Sequence, residues 1–176
     1  MIWESQYWKR PLLRSASWLK RWRNDEENFE RDSARIEREI FIGFYSIRKL
    51  LDTFKVSPST RRGNYSLVWS PRIGRPDYFN WHRIEEHYDL TIQQKEMRDL
   101  VFLCNQFVHS FIFSMVLDEK DALAGVYVAS DKTRGEKLYF VDIDQILQAF
   151  RIVGRDYPSE QRMIRNKETG EWEEIE

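Results

Sequence analysis

The most apolar stretch of the chain runs from Val101 to Leu117 and reads VFLCNQFVHSFIFSMVL. Its middle carries Asn105, Gln106 and His109, whereas a helix that spans a membrane needs ~20 mostly apolar residues. A buried core helix is therefore the better interpretation. Apolar residues recur in this region at helical spacing and predict a helix over Thr91–Val116. Its stripe consists of Leu100, Cys104, Phe107, Phe111 and Met115.

A second long helix is predicted upstream, from Asp25 to Phe54. Its apolar and small residues follow alternating spacings of four and three, as expected for a helix that packs inside a bundle. The members of this stripe are Phe29, Ser33, Ile36, Ile40, Gly43, Ile47, Leu51 and Phe54. Pro58 ends the helix, because the residue before a proline disfavours helical backbone angles.

The C-terminal third of the chain has a different composition. The runs Val126–Val128 and Leu138–Val141 are rich in β-forming residues and predict a hairpin. Asp144 is the expected N-cap of a short helix that extends to Ile152. A second hairpin is predicted around the turn sequence NKETG, residues 166–170.

We therefore expect an α+β fold that is mainly α, an antiparallel helical bundle with a small C-terminal appendage of β-hairpin and helix. The bundle occupies residues 25–117. An amphipathic N-terminal segment, residues 1–24, precedes the bundle. A β-rich appendage with an acidic tail, residues 118–176, packs on it.

Composition limits the classes of function. The 176 residues include 28 Lys+Arg and 29 Asp+Glu, so the chain as a whole is not attracted to nucleic acid. Aromatic residues make up 15%, more than a disordered chain carries. Cys104 is the single cysteine, which excludes an intramolecular disulfide and favours a reducing compartment. No secretory signal is recognisable at the N-terminus, and we expect a cytoplasmic protein.

Two segments are nonetheless locally basic. Residues 1–24 hold six basic residues against Glu4, and they include a helix predicted over Leu12–Arg23. A Trp-rich basic helix can lie on a membrane, but docking of its apolar stripe on the core is the commoner outcome. The connection over residues 57–80 mixes arginines with aromatic residues, which suits phosphate contacts and base stacking. Equally, Tyr65–Trp69 fits a short strand that covers a hydrophobic edge. The candidate RNA-binding residues are Arg61, Arg62, Trp69, Arg72 and Arg75.

Asn105 and His109 lie four residues apart and share one face of the predicted third helix. The surrounding sequence, LCNQFVHSF, resembles the signature of HEPN domains (higher eukaryotes and prokaryotes nucleotide-binding), in which an Arg followed by a polar residue precedes a His. Cys104 stands at the position of that Arg. The segment Phe44–Leu50 resembles an earlier helix of these domains, and the resemblance covers residues 25–117.

The resemblance implies a metal-independent ribonuclease that works as a dimer, with Arg and His of two subunits meeting across the interface. A His can move protons near neutral pH, and an Arg stabilises charge that develops on phosphate. Cys104 supplies no fixed positive charge, so the motif is incomplete. Arg98 lies eleven residues before His109, about 16 Å along a helix axis, and would reach the site only from a second subunit.

Three functions follow. The first is a HEPN-like module that acts by homodimerisation or by binding a partner protein, in a toxin–antitoxin or phage-defence setting that the resemblance implies. The second is a metal-independent RNase that uses His109 and Asn105, with Arg98 in trans and RNA as the partner. The third is a peripheral membrane or structural protein that uses the Trp-rich N-terminal helix, although a membrane is the least expected partner. No cofactor or metal is expected, because His82 and His87 lack zinc-motif spacing.

Overall fold

A five-stranded antiparallel sheet forms the centre of the fold, so the expected helical bundle with a small β appendage is wrong. The computed structural model describes residues 2–158, 162–170 and 172–175. The helices in these ranges are α1 Gln6–Arg21, α2 Phe29–Asp52, α3 Pro58–Arg61, α4 Ile84–His87, α5 Leu100–Val108 and α6 Ile143–Arg155, with a 3-10 turn at Glu26–Asn28. The strands are β1 Asn64–Pro71, β2 Gln94–Asp99, β3 Ser110–Leu117, β4 Leu123–Ser130, β5 Lys137–Asp142, β6 Arg162–Arg165 and β7 Trp172–Ile175.

The strand order of the central sheet is β2-β1-β5-β4-β3, so β2 and β3 form its two edges. The hairpin predicted from the C-terminal β-rich runs is confirmed as β4 and β5. These strands lie inside the sheet rather than in an appendage. The facing residues include Tyr65 with Arg98, Trp69 with Tyr139, Tyr127 with Phe140, and Phe113 with Val128.

Helices α1, α2, α5 and α6 pack on one face of the sheet and form the main core with it. The ring of Phe44 on α2 stacks on Phe107 of α5 with centroids 4.1 Å apart, and meets Phe150 of α6 edge-on at 5.3 Å. Gly43 permits this approach, since a Cβ there would lie 2.1 Å from Cζ of Phe150. The second predicted helix is thus confirmed, and it is central to the core.

Residues 72–90 cover part of the opposite face of the sheet. Tyr88 is buried there against Ile112 and Leu138. Its hydroxyl donates a hydrogen bond to the carbonyl oxygen of Arg134 at 2.7 Å. This second apolar layer is thinner than the main core, and side chains such as Tyr127 remain half-buried.

The predicted helix over Thr91–Val116 is wrong at both ends. Residues 94–99 form the polar edge strand β2, and Asp99 then caps α5 by accepting a hydrogen bond from the backbone N–H of Phe102 at 2.7 Å. Helix α5 ends at Val108, and the chain continues as β3. The apolar residues of the sequence SFIFSMVL fit the two-residue period of a strand as well as they fit the spacing of a helical stripe. Pairing with β4 therefore decides its conformation.

The N-terminal segment docks on the core as expected. Leu12, Leu19 and Trp22, which form the predicted stripe, are buried. Helix α1 begins at Gln6, six residues before the predicted start. Helix α1 packs against α6, and buried residues of both helices belong to the main core.

The end of the chain follows the prediction in outline. Helix α6 is present, although its N-cap is Asp142, whose carboxylate accepts a hydrogen bond from the backbone N–H of Asp144 at 2.7 Å. Strands β6 and β7 pair as the predicted second hairpin. Residues 159–161, 171 and 176 of the acidic tail lie outside the described residues.

Candidate functional site

The HEPN-like motif falls at the end of α5. Asn105 is half-buried, whereas His109 is an exposed residue at the C-terminus of the helix. The contact that joins them is a backbone hydrogen bond, in which the N–H of His109 donates to the Asn105 carbonyl oxygen at 3.2 Å. Cys104, at the position of the motif Arg, is fully buried, and burial raises the pKa of its thiol. Cys104 therefore acts as an apolar core residue.

Arg98 lies on strand β2 and not on the helix that carries the motif. The prediction that Arg98 and His109 are separated by three turns of one helix is therefore wrong. Its Nε pairs with Oε1 of Glu96 at 3.0 Å. Its guanidinium carbon lies 4.6 Å from the ring centroid of Phe102. Arg98 is thus half-buried and bound within its own chain.

Two of the predicted RNA-binding residues make contacts inside the chain. Arg61 is half-buried, donates a hydrogen bond to the carbonyl oxygen of Leu51, and lies 5.1 Å from the ring centroid of Phe54. It therefore caps the C-terminal end of α2. Trp69 is half-buried on β1, with Nζ of Lys137 at 4.2 Å from its ring centroid.

The other three predicted RNA-binding residues are exposed. Arg62 donates a hydrogen bond to the carbonyl oxygen of Pro58 at 3.3 Å. Arg72 follows β1 and is held by its backbone N–H, which donates to the carbonyl oxygen of Glu136 at 3.0 Å. Arg75 lies in the loop after it. The five residues are spread over α3 and its C-cap, strand β1 and the loop that follows β1.

Strand β3 has an unusual position for its composition. It forms one edge of the sheet and pairs with β4 alone. Over the described part of the chain, no backbone hydrogen bond reaches its outer side. Its eight residues include neither a charge nor a proline, although edge strands usually carry such residues to prevent pairing with another chain. The opposite edge strand, β2, reads QKEMRD and has that protection.

Aromatic side chains from two other segments lie beside this edge. Tyr78 meets Phe111 edge-on with ring centroids 5.1 Å apart. Trp81 and Phe29 line a cavity of about 330 Å³ against β3. Phe79 is 91% exposed. We name this region the β3-edge surface, and it consists of strand β3 with Phe29, Tyr78, Phe79 and Trp81.

A local turn holds these aromatic side chains outward. Oδ1 of Asp77 accepts hydrogen bonds from the backbone N–H groups of Phe79 at 2.8 Å and Asn80 at 3.1 Å. In return, Oδ1 of Asn80 accepts from the backbone N–H of Asp77 at 2.6 Å. Such reciprocal bonds restrict the backbone of the turn. The outward display of Tyr78 and Phe79 is therefore built into the fold.

Charges of opposite sign flank the two ends of β3. At the first end, the guanidinium carbon of Arg134 lies 3.5 Å from the ring centroid of Phe111. Asp118 and Glu119 follow the strand. Hydrogen bonds from the backbone N–H groups after Asp118 hold the pKa of its carboxyl below the usual value, so that end stays anionic.

The sequence analysis missed the β3-edge surface. A signal for it exists in the alternation of Phe111, Phe113, Met115 and Leu117, which is typical of a strand. Two of these residues, Phe111 and Met115, also belong to the predicted helical stripe with Cys104 and Phe107. The aromatic pair Tyr78–Phe79 lies between the polar residues Asp77 and Asn80, but its exposure depends on the tertiary fold.

Within the described ranges, no helix combines the length and the apolar character needed to cross a bilayer. In the same ranges, no group of three His, Cys, Asp or Glu residues is placed to bind a metal ion. No protein-family model, curated protein or solved structure matches the chain.

Proposed function

We propose that the protein is a binding module that forms a symmetric homodimer through the β3-edge surface. The observation that carries this proposal is the uncharged edge strand β3, which pairs on one side alone and lies beside exposed aromatic side chains. A second copy of the chain offers an identical strand with the same unused backbone groups. Pairing the two edges satisfies those groups and buries apolar surface.

Two-fold symmetry makes the paired strands antiparallel and uses the same surface on both copies. An axis through Ser114 places apolar residues opposite apolar residues on both faces of the sheet. In this register Ser114 faces itself, Phe113 faces Met115, and Ile112 faces Val116. The regular part of β3, between its two irregularities, spans this centre.

The charges at the ends of the strand favour this antiparallel pairing. The end of β3 that holds Arg134 lies near the anionic end of the other copy, which holds Asp118. Complementary charges favour one orientation of two paired surfaces in this way.

The HEPN resemblance and the RNase activity remain predictions. Cys104 stands at the position of the motif Arg, and Arg98 is bound within its own chain. Incubation with mixed RNA in chelator, compared with His109→Ala, tests the RNase directly, since cleavage that is lost in the variant would support it. The toxin–antitoxin or phage-defence setting and the cytoplasmic location also remain predictions.

The homodimer is tested by sedimentation of the full chain over a wide range of concentration. We expect a monomer–dimer equilibrium for the native sequence. Ser114→Lys places two positive charges opposite each other at the axis and should weaken the dimer at least about tenfold. Ser66→Lys introduces the same charge at an exposed position of the interior strand β1 and should leave the dimer intact. A native chain that stays monomeric, or a Ser114→Lys variant that dimerises normally, contradicts the proposal.

A further inference from the structure

The exposed face of α1 carries a line of arginines with aromatic side chains between them. Arg10, Arg14 and Arg21 are exposed on this face, and Tyr7 and Trp18 lie on the same side of the helix. The line from Arg10 to Arg21 extends about 16 Å along the helix axis. We name these five residues, together with Arg35 of the neighbouring helix α2, the basic face of α1.

Two adjoining grooves follow this face. One, of about 430 Å³, lies beside Tyr7 and Arg10. The other, of about 510 Å³, lies between α1 and α2 and is lined by Trp18, Arg21 and Arg35. Both grooves include Arg14, so the basic face presents a concave path rather than a flat surface.

The positive charge of this path is not neutralised by the chain itself. In the ranges that the structure describes, no ion pair involves Arg10, Arg14 or Arg21. The carboxylate that lines the groove belongs to Glu39. It already accepts a hydrogen bond from Oγ of Ser15 at 2.5 Å and pairs with a neighbouring arginine at 3.3 Å. The groove is therefore cationic overall.

We propose that the basic face of α1 binds single-stranded nucleic acid, with its arginines on the phosphates and its aromatic rings beside the bases. Guanidinium groups match phosphate geometry, and base stacking on aromatic rings tolerates any sequence. Tyr7 is 70% exposed and available for stacking. Trp18 lies in the groove with the guanidinium carbon of Arg35 at 4.0 Å from its ring centroid. That position suits a strand lying in the groove better than insertion into a bilayer.

Fluorescence anisotropy with a labelled oligo(dT) strand tests this proposal. The full chain should bind with an affinity that falls as salt rises. Replacement of Arg10, Arg14 and Arg21 by Gln should weaken binding at least tenfold and reduce the slope of log Kd against log salt by about 2, since each lost phosphate contact removes about 0.7. A matched variant replaces three exposed lysines outside α1, Lys95, Lys132 and Lys167, by Gln and should keep the native slope.

Two outcomes would overturn the proposal. One is equal loss of binding in the arginine and lysine variants, which would indicate a general effect of net charge. The other is the absence of oligo(dT) binding by the native chain, including the case in which it sediments with vesicles that contain phosphatidylglycerol. Neither outcome depends on dimerisation. The groove on α1 is lined by Arg35 and Glu39 of α2, whereas the cavity beside β3 is lined by Ser33 and Glu37 of that helix. The Ser114→Lys variant can be measured in parallel.

Discussion

Tyr139 donates a hydrogen bond from its hydroxyl to Oε1 of Glu96 at 2.5 Å, and this contact spans the intervening strand β1. Glu96 also accepts from Nζ of Lys137 at 2.7 Å and pairs with Arg98 at 3.0 Å. Burial alone would raise the pKa of Glu96, but the hydrogen bonds from these three residues lower it to about 2. Glu96 thus ties the edge strand β2 to the interior of the sheet.

Replacement of Glu96 should give a stability loss that depends on pH. Because the folded pKa of about 2 lies below the ordinary value of 4.5, the carboxylate stabilises the fold above pH 4.5, and this contribution is lost as the pH falls toward 2. Glu96→Gln should lower the free energy of unfolding by about 1–3 kcal/mol near neutral pH. Urea denaturation at several pH values measures this. A loss that stays constant down to acid pH would contradict the assignment, and Glu136→Gln, at an exposed carboxylate, serves as the control.

A methyl group at Gly43 should destabilise the protein. Its Cβ would lie 2.1 Å from Cζ of Phe150, and overpacking of a core costs about 1–3 kcal/mol, against about 1 kcal/mol that alanine contributes to a helix. Gly135→Ala is the matched control, because a Cβ there meets no atom within 4 Å. Thermal unfolding compares the two variants. Addition of Phe150→Leu to Gly43→Ala should recover part of the loss, and an additive loss would show that the two residues do not clash.

Cys104 should be inert in the folded protein. Its side chain is completely buried, and burial raises the pKa of its thiol, so little thiolate is available to attack a reagent. We expect no modification by iodoacetamide under native conditions and full modification in urea, both measured by mass spectrometry. Rapid labelling of the native protein would show that this part of α5 opens readily.

Phe79 should contribute to association and not to folding. It is 91% exposed, and truncation of such a side chain changes the free energy of unfolding by within about 0.5 kcal/mol. Phe79→Ser should nonetheless raise the dimer dissociation constant about tenfold, as expected for an aromatic residue in an interface. Trp3→Ser, at a side chain that is 89% exposed on another part of the molecule, should leave the dimer unchanged. Equal effects of the two substitutions would place the interface elsewhere.

Sequence alone predicts the elements whose apolar spacing fits one type of secondary structure and not the other. Helix α2 carries its apolar stripe over 24 residues, which no strand could use, and β4 and β5 are short runs of β-branched and aromatic residues. Strand β2 has no apolar alternation, because it is a polar edge, and nothing local distinguishes it from a helix end. Residues 110–117 fit both periods, and only the presence of β4 beside them selects the strand.

Sequence alone identified single residues with suitable chemistry, but it did not show which residues lie together in the folded chain. Asn105, His109 and the arginines of residues 57–80 stand out by type, but their partners come from distant strands and helices. Arg61, for example, binds the end of α2, and Arg98 binds within β2. The β3-edge surface combines residues that are more than eighty positions apart, from Phe29 to Leu117. Sequence spacing carries no information about such a combination.

The homodimer is tested most directly by mixing two variants that carry opposite charges at Ser114. In the proposed register this residue faces itself across the two-fold axis, so Ser114→Lys and Ser114→Glu should each sediment as monomers. An equimolar mixture should form a heterodimer, because opposite charges then meet at the axis. Circular dichroism of each variant verifies that the fold is retained. A mixture that remains monomeric while both variants are folded, or separate variants that dimerise as well as the native chain, would contradict pairing through β3.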